Sequence, residues 1–328
     1  MILAGDVGGT HTRLALIEPR GEDLRLIVGQ IYTSHGYPSL EAIVSEFLRA
    51  TSAKPDAAGI GLAGPIRDGR CVATNLPWKV DGAELAAKTG LANVTLLNDL
   101  EANAYGIATL GPEDFEVLQE GRPDPRGNCA VISPGTGLGE AGMFRDGQVL
   151  RPFPSEGGHS SFAPEGALQG ELFGCLTRRF GHVSCERVLS GPGLVNIYEF
   201  LRDTGRGSDT PDLVKEMQTK DAAPVISQAA MEGRSKLCEQ ALDIFVRIFG
   251  AEAGNLALKF LATGGVHLGG GIAPKILPKL KGPSLMEAFL SKGRMQPLLE
   301  AIPVLVILNE NTALRGAARA ALHHAAQR

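Results

Sequence analysis

The sequence lacks the features that mark several whole classes of protein. None of its five cysteines, Cys71, Cys129, Cys175, Cys185 and Cys238, forms a Cys-x-x-Cys pair. That argues against structural zinc and for a reducing compartment; most of the five read as buried small hydrophobes. There is no basic run, and the net charge is −4, so neither nucleic acid nor an anionic membrane is an expected partner. No apolar run approaches the length of a spanning helix; the longest clear one, Val304 to Leu308, is strand-sized. The N-terminus has no basic n-region and reaches Asp6 almost at once, which does not fit a signal peptide. The expected location is therefore cytoplasmic. P-loop, His-Glu-x-x-His, Gly-x-Ser-x-Gly and protein-kinase signatures are missing.

What is present is a globular composition, 44% apolar and 21% charged, in 328 residues. That length exceeds most single cores, so two domains are expected. The most informative stretch runs from Gly5 to Leu16: Gly-Asp-Val-Gly-Gly-Thr-His-Thr-Arg-Leu-Ala-Leu. It reads as strand, tight turn, strand. Adjacent Gly8 and Gly9 let the backbone bend and let a ligand approach the main chain. Consecutive turn amides form a nest for anions, and Thr10 and Thr12 add hydroxyls. Asp6 fits beside a phosphate when a divalent cation lies between them, since Mg²⁺ takes few protein carboxylates and keeps waters and phosphate oxygens. The stretch reads as a Mg-nucleotide cradle or as a plain glycine-turn hairpin.

Along the chain, Leu24 to Thr33 reads as a strand. Ser39 caps a helix with Leu40, Ile43, Val44, Phe47 and Leu48 on one face. Ala57 to Ile66 reads as a buried strand, Asp81 to Thr89 as a helix ended by Gly90, and Val94 to Leu97 as a strand closed by Asn98-Asp99. A helix follows over Leu100 to Leu110. This alternation predicts a mainly parallel sheet with helices on its faces. Gly121 to Asn128 looks like a linker. A second strand–glycine-turn–strand unit then appears, Ala130 to Ile132, Ser133 to Gly139 and Ala141 to Phe144, with a hairpin turn at Arg145 to Gln148. Gly166 to Lys259 is mostly helical, and Lys236 to Leu258 fits a long core helix. Thr263 to Ile272 is a strand ending in Gly269, Gly270 and Gly271. Val304 to Leu308 is a strand, and Thr312 to Ala326 an alanine-rich helix expected to pack back on the N-terminal domain.

Three groups of residues can carry chemistry. Asp99 closes a strand and opens a helix. Ligands of α/β sheets bind at the carboxyl ends of strands, and an aspartate with an ordinary pKa of about 3.9 is ionised and able to accept an alcohol proton. The alternative is that Asp99 caps the helix. Glu156 and His159 flank two glycines and match the hydrogen-bonding needs of vicinal hydroxyls; a metal pair or an ordinary polar loop are the other readings. Glu186 is a further candidate, or a first-turn acid complementing a helix dipole. Gly137-Leu138-Gly139-Glu140-Ala141-Gly142 matches the dinucleotide pattern Gly-x-Gly-x-x-Gly. A hairpin rather than a helix follows it, so a phosphate turn is preferred.

Together, Gly5 to Thr12, Leu96 to Ala102, Pro134 to Gly139, Ser155 to His159, Glu186 to Gly193 and Gly264 to Ile272 resemble bacterial glucokinase of the ATP-dependent hexokinase type, in the superfamily of sugar kinases, actin and heat-shock ATPases. Their order and spacing carry the resemblance over nearly the whole chain. It implies an α/β, two-domain actin-like ATPase (ribonuclease H-like) fold. A small α/β domain, 1–110 plus 301–328, and a larger α+β domain, 111–300, would enclose a cleft holding glucose. It implies ATP and Mg²⁺ as cofactors. Asp99 is then the base for the sugar 6-hydroxyl. Asn98, Glu156, His159 and Glu186 hold other hydroxyls. Gly5, Asp6, Val7, Gly8, Gly9, Thr10, Thr136 and Gly137 take ATP phosphates, Gly270 and Gly271 lie near the adenosine, and Asp6 reaches Mg²⁺ through water. Homodimers are common in such a family. His11 stands where the family often has Asn, and Ser133 where it often has Gly. The rival expectations are a kinase of another hexose or amino sugar, an actin-type ATPase, and a sugar-sensing regulator. The regulator is expected to carry a DNA-binding extension and to lack the base.

Overall fold

The computed structural model describes residues 1–21, 23–73 and 76–326. The chain divides into two compact units. The first comprises Met1–Asp114, Leu150–Pro154 and the chain from Asn309 onward, and the second comprises Phe115–Val149 and Ser155–Leu308.

The first unit contains β1 (Ile2–Val7), β2 (His11–Arg20), β3 (Asp23–Thr33), α1 (Leu40–Thr51), β4 (Ala57–Leu62), β5 (Ile66–Arg67), β6 (Arg70–Val72), β7 (Lys79–Asp81), α2 (Gly82–Thr89), β8 (Val94–Asn98) and α3 (Asp99–Ile107). Its main sheet has the order β3-β2-β1-β4-β8. The first three strands are antiparallel neighbours, whereas β4 and β8 run parallel to β1. Strand periodicity sorts the side chains to two faces. Leu3 and Val7 meet Leu40, Ile43, Val44 and Phe47 of α1. Ile2 and Ala4 meet Leu314, Ala317 and Ala321 of the C-terminal helix, Thr312–Ala326. Both faces are covered, so β4 is buried along its whole length.

The second unit contains β9 (Phe115–Gln119), β10 (Cys129–Pro134), β11 (Leu138–Asp146), the two end residues of β12 (Val149–Ser155), whose middle, Leu150–Pro154, belongs to the first unit, α4 (Gly166–Phe180), α5 (Gly191–Asp203), α6 (Pro211–Thr219), α7 (Ala222–Met231), α8 (Lys236–Phe260), β13 (Gly265–Leu268), α9 (Leu277–Leu280), α10 (Pro283–Leu290), α11 (Gln296–Ala301) and β14 (Val304–Ile307). Its strands follow the order β11-β10-β13-β14-β9. Again a glycine turn joins two antiparallel strands, and parallel strands follow on the other side. The two sheets thus share one plan, to which β9 adds an antiparallel edge. The helix α8 is the spine of the larger core, with Leu242, Phe245, Val246 and Phe249 all buried.

The structure departs from the sequence reading in several places: β6 and β7 were not anticipated, and the strand expected over Thr263 to Ile272 is confined to Gly265–Leu268. β4 stops at Leu62, because Gly64 turns the chain with φ 150°, and Ile66 pairs with Cys71 in a separate small sheet. α3 ends at Ile107 rather than Leu110. Arg315 of the C-terminal helix takes the Thr109 carbonyl at 2.8 Å and its hydroxyl at 3.0 Å instead. The strand β9 had no counterpart in the sequence reading.

The C-terminal helix approaches α3 and β4 at positions where side chains are missing. A Cβ on Gly316 would collide with the Ala102 carbonyl, and one on Gly106 with the Thr312 carbonyl. Alanine favours a helix over glycine by about 1 kcal/mol. Gly316→Ala is nonetheless expected to lower stability by about 1–3 kcal/mol through overpacking, measured as a fall in the urea midpoint.

Candidate active site

In the first unit the β1–β2 turn is closed by Gly8 N–H donating to His11 O at 2.9 Å. Ser34, just after β3, ties it from behind. Its Oγ donates to Gly8 O at 2.9 Å, its N–H donates to Thr10 O at 2.9 Å, and its hydroxyl pairs with that of Thr12 at 3.0 Å. Thr12 is fully buried, so its hydroxyl serves this internal pair and is not a phosphate donor; Thr10 is exposed. Gly8 and Gly9 do not occupy the left-handed region. Their contribution is therefore close main-chain access and not an unusual φ. Gly5 has no room for a side chain, since a Cβ would meet Ile60 Cδ1 at 2.7 Å.

Asp6 faces Arg13 across the β1–β2 ladder. Burial raises the Asp6 carboxyl above its ordinary pKa, and the Arg13 guanidinium opposes that rise. A desolvated carboxylate gains from a nearby cation. Among the described residues no three His, Cys, Asp or Glu side chains converge as a metal cage. This donor set fits Mg²⁺ held by one carboxylate and completed by waters and phosphate oxygens.

At the end of β8, Asn98 is buried and caps α3. Its Oδ1 accepts from Leu100 N at 2.9 Å and Glu101 N at 3.3 Å, while Nδ2 donates to Gly64 O at 3.3 Å. The capping duty weighed for Asp99 thus belongs to Asn98. Asp99, half-buried as the first residue of the helix, accepts from Leu100 N at 2.9 Å.

In the second unit, Glu156, His159 and Glu186 come together on adjoining segments. Cys185 N–H donates to Ser160 O at 2.9 Å, and Ser161 bridges Ser184. Glu186 Oε2 accepts from Leu138 N at 2.9 Å, and Oε1 lies 3.9 Å from His159 Nδ1. Glu186 sits in a short 3₁₀ turn and Ser190 caps α5, so the dipole role considered for Glu186 is not its job. The Glu156 carboxylate is exposed, and its carbonyl accepts from His159 N at 3.0 Å. Thr136 and Gly137 occupy the β10–β11 turn, where Gly135 N–H donates to Gly137 O at 2.8 Å. Gly270 lies against that turn with φ 79°, and a Cβ there would fall 2.5 Å from Pro134 O. Gly271 faces open space. β11 continues straight through Gly139 to Asp146, which removes the dinucleotide reading of Gly-x-Gly-x-x-Gly. Sequence reasoning passed over Glu140 in the middle of β11. An acid inside the apolar and glycine stretch Leu138 to Phe144 was the available signal.

The family model described as Glucokinase matches residues 3–324. The chain belongs to the glucokinase family. It is an enzyme, a hexose kinase. A glucokinase of Nostoc punctiforme is 41% identical over 97% of this chain and 98% of its own length. The crystal structure of glucokinase from an Antarctic psychrotroph superposes with a TM-score of 0.83, at 31% identity, covering 98% of each chain. A ROK family glucokinase from Streptomyces griseus, solved in complex with glucose and AMPPNP, shares the fold with a TM-score of 0.66 at 24% identity, over 98% of this chain and 99% of that one. The fold is the two-domain actin-like ATPase and sugar-kinase fold. Among the described residues no helix is long and apolar enough to cross a membrane.

If Asn98 is the cap, Asn98→Ala lowers stability by about 1 kcal/mol and Asp99→Ala by less. Denaturant unfolding of the two variants checks this, and the reverse order would return the cap to Asp99.

Proposed function

We propose that the enzyme transfers the γ-phosphoryl group of ATP to the 6-hydroxyl of glucose, giving glucose 6-phosphate and ADP, with Asp99 as general base. The observation that carries this reading is the division of labour at the start of α3. Asn98 supplies the cap, so the Asp99 carboxylate is not the group that starts the helix, and it stands at the carboxyl end of a parallel strand, where ligands of α/β sheets bind. Family membership supports the substrate pair, as do the glucose and AMPPNP bound to the Streptomyces griseus relative.

Phosphoryl transfer passes through a loose transition state, so positioning and charge compensation dominate. Asp99 takes the hydroxyl proton as O6 bonds to phosphorus. The bond from phosphorus to the β,γ-bridging oxygen breaks, and its electron pair leaves with ADP. In the first unit, the β1–β2 turn offers main-chain amides to phosphate oxygens at Gly9 and Thr10, beyond the Gly8–His11 hydrogen bond, and the second Nδ2 hydrogen of Asn98 serves a sugar hydroxyl. In the second unit, Glu156, His159 and Glu186 orient the other hydroxyls. Thr136 and Gly137 receive phosphate, and Gly270 with Gly271 leaves space for the adenosine. Asp6 would hold Mg²⁺ through water, and the ion supplies compensation for phosphate charge.

The first unit is the small domain and the second the large one. The enzyme works in the cytoplasm, which five free cysteines support, and as a homodimer, which light scattering tests.

Asp99→Asn is expected to cut kcat by about 10²-fold or more while leaving the glucose dissociation constant near that of the parent. A coupled ADP assay together with calorimetric sugar binding measures both. Near-parental turnover would remove Asp99 as the base. Glu156→Ala is expected to raise the glucose KM about tenfold, because sugar hydroxyls lose a partner. The same assay across several hexoses and amino sugars fixes the acceptor.

A further inference from the structure

Glu140 lies in the middle of β11, 1% exposed, opposite Ile132 of β10. Its side chain runs beneath the Glu156–His159 loop. A Cβ placed on Gly157 would land on Glu140 Oε2, so the loop backbone rests against this carboxyl group. Its other oxygen, Oε1, is fully buried and has no hydrogen-bond partner among the described residues. The groups facing it are Glu252 and Lys259 on α8 and the Cys185 thiol in the turn before Glu186. Burial pushes that thiol up to about 12, so it stays neutral. Lys259 is engaged by Glu252, with Nζ 3.2 Å from Oε1, and Asn255 donates to the other Glu252 oxygen at 2.9 Å. One ammonium therefore serves two buried acids, and Glu252 has the better claim on it.

We infer that Glu140 is a positioning residue for the sugar, supporting the Glu156–His159 loop in its protonated form. The inference rests on the reading that this loop holds glucose hydroxyls.

A neutral carboxyl tolerates an unpartnered oxygen at modest cost, whereas a buried carboxylate beside a second carboxylate does not. On ionising, Glu140 must draw in water or push Gly157 away, and either moves the loop that carries Glu156 and His159. Burial, and then Glu252, raise the Glu140 carboxyl to about 7, with Lys259 opposing. The native protein therefore holds this proton more tightly than the unfolded chain does. The associated stability is full below the unfolded value near 4.5 and is lost as pH rises through about 7. By the same linkage, glucose binding takes up a proton near neutral pH.

The test is calorimetric titration of glucose into the full-length protein without nucleotide. It runs from pH 6 to 8.5, in two buffers of different ionisation enthalpy, on the parent, Glu140→Gln, Glu140→Ala and Glu156→Ala. In the parent, the glucose dissociation constant should rise by up to about tenfold across that range, the size of one pKa unit of coupling, and binding near pH 7 should absorb a fraction of a proton. Glu140→Gln, which keeps the shape and cannot ionise, should flatten the pH slope and abolish proton uptake. Glu140→Ala should bind glucose more weakly at every pH, with a larger change in KM than in kcat; if it does not fold, the glutamine variant decides alone. An unchanged slope and unchanged proton uptake in Glu140→Gln would overturn the inference, since the proton would then belong to another group. An unchanged dissociation constant in Glu156→Ala would instead sink the sugar-loop reading itself.

Discussion

The two amide hydrogen bonds that Asn98 accepts from Leu100 and Glu101 fix where α3 begins, and with it where Asp99 stands. Everything around α3 acts to keep that point in place. Nδ2 of Asn98 anchors the cap to the Gly64 carbonyl. The middle of the helix is pinned by close backbone approach, Gly106 to Thr312 and Ala102 to Gly316. Just past its end, the Thr109 carbonyl and hydroxyl are taken by Arg315. A cap bond, contacts at van der Waals distance and a guanidinium thus restrain one nine-residue helix at its start, its flank and its end. The role proposed for Asp99 would need such restraint, because misplacement of about 1 Å is costly in rate.

The second unit solves a different problem, the placing of several acids on neighbouring segments without mutual disruption. Glu186 stays partly exposed and accepts the Leu138 amide. Glu156 stays in solvent. Glu140 is placed where charge is expensive, under glycines that permit no side chain above it. Like residues thereby acquire unlike behaviour from their surroundings alone, which is how one residue type comes to serve in several capacities.

Much of the fold was legible in the chain because it depends on local pattern. The apolar run Ile2 to Ala4 leading into the glycine turn and the long apolar stripe of Lys236 to Phe260 declare strand and helix directly. So do the glycine turns at Gly8-Gly9 and Gly135-Thr136-Gly137. Gly90 and Gly147 end their elements with φ of 74° and 59°. What stayed hidden depends on distant partners. β9 is an edge strand without a clear hydrophobic rhythm, and only its pairing with β14 makes it a strand. Thr12 looks like Thr10 until Ser34, 22 residues away, claims its hydroxyl. The choice between Asn98 and Asp99 as cap turns on a shift of one residue, below the resolution of any pattern. Glu140 was masked because the glycines around it supplied a more familiar motif.

The C-terminal helix covers Ile2, Ala4, Ala15 and Ile17, residues made some three hundred positions earlier. During vectorial synthesis these side chains leave the ribosome with their covering helix still unmade, so one face of the first sheet stays wet until Thr312–Ala326 has also emerged. The intervening unit, whose own core draws on residues from Phe115 to Leu308, reaches completion sooner. Nascent chains stalled or clipped before Thr312 therefore carry their defect at the opposite terminus, as a bare apolar sheet face of the kind that recruits chaperones or aggregates.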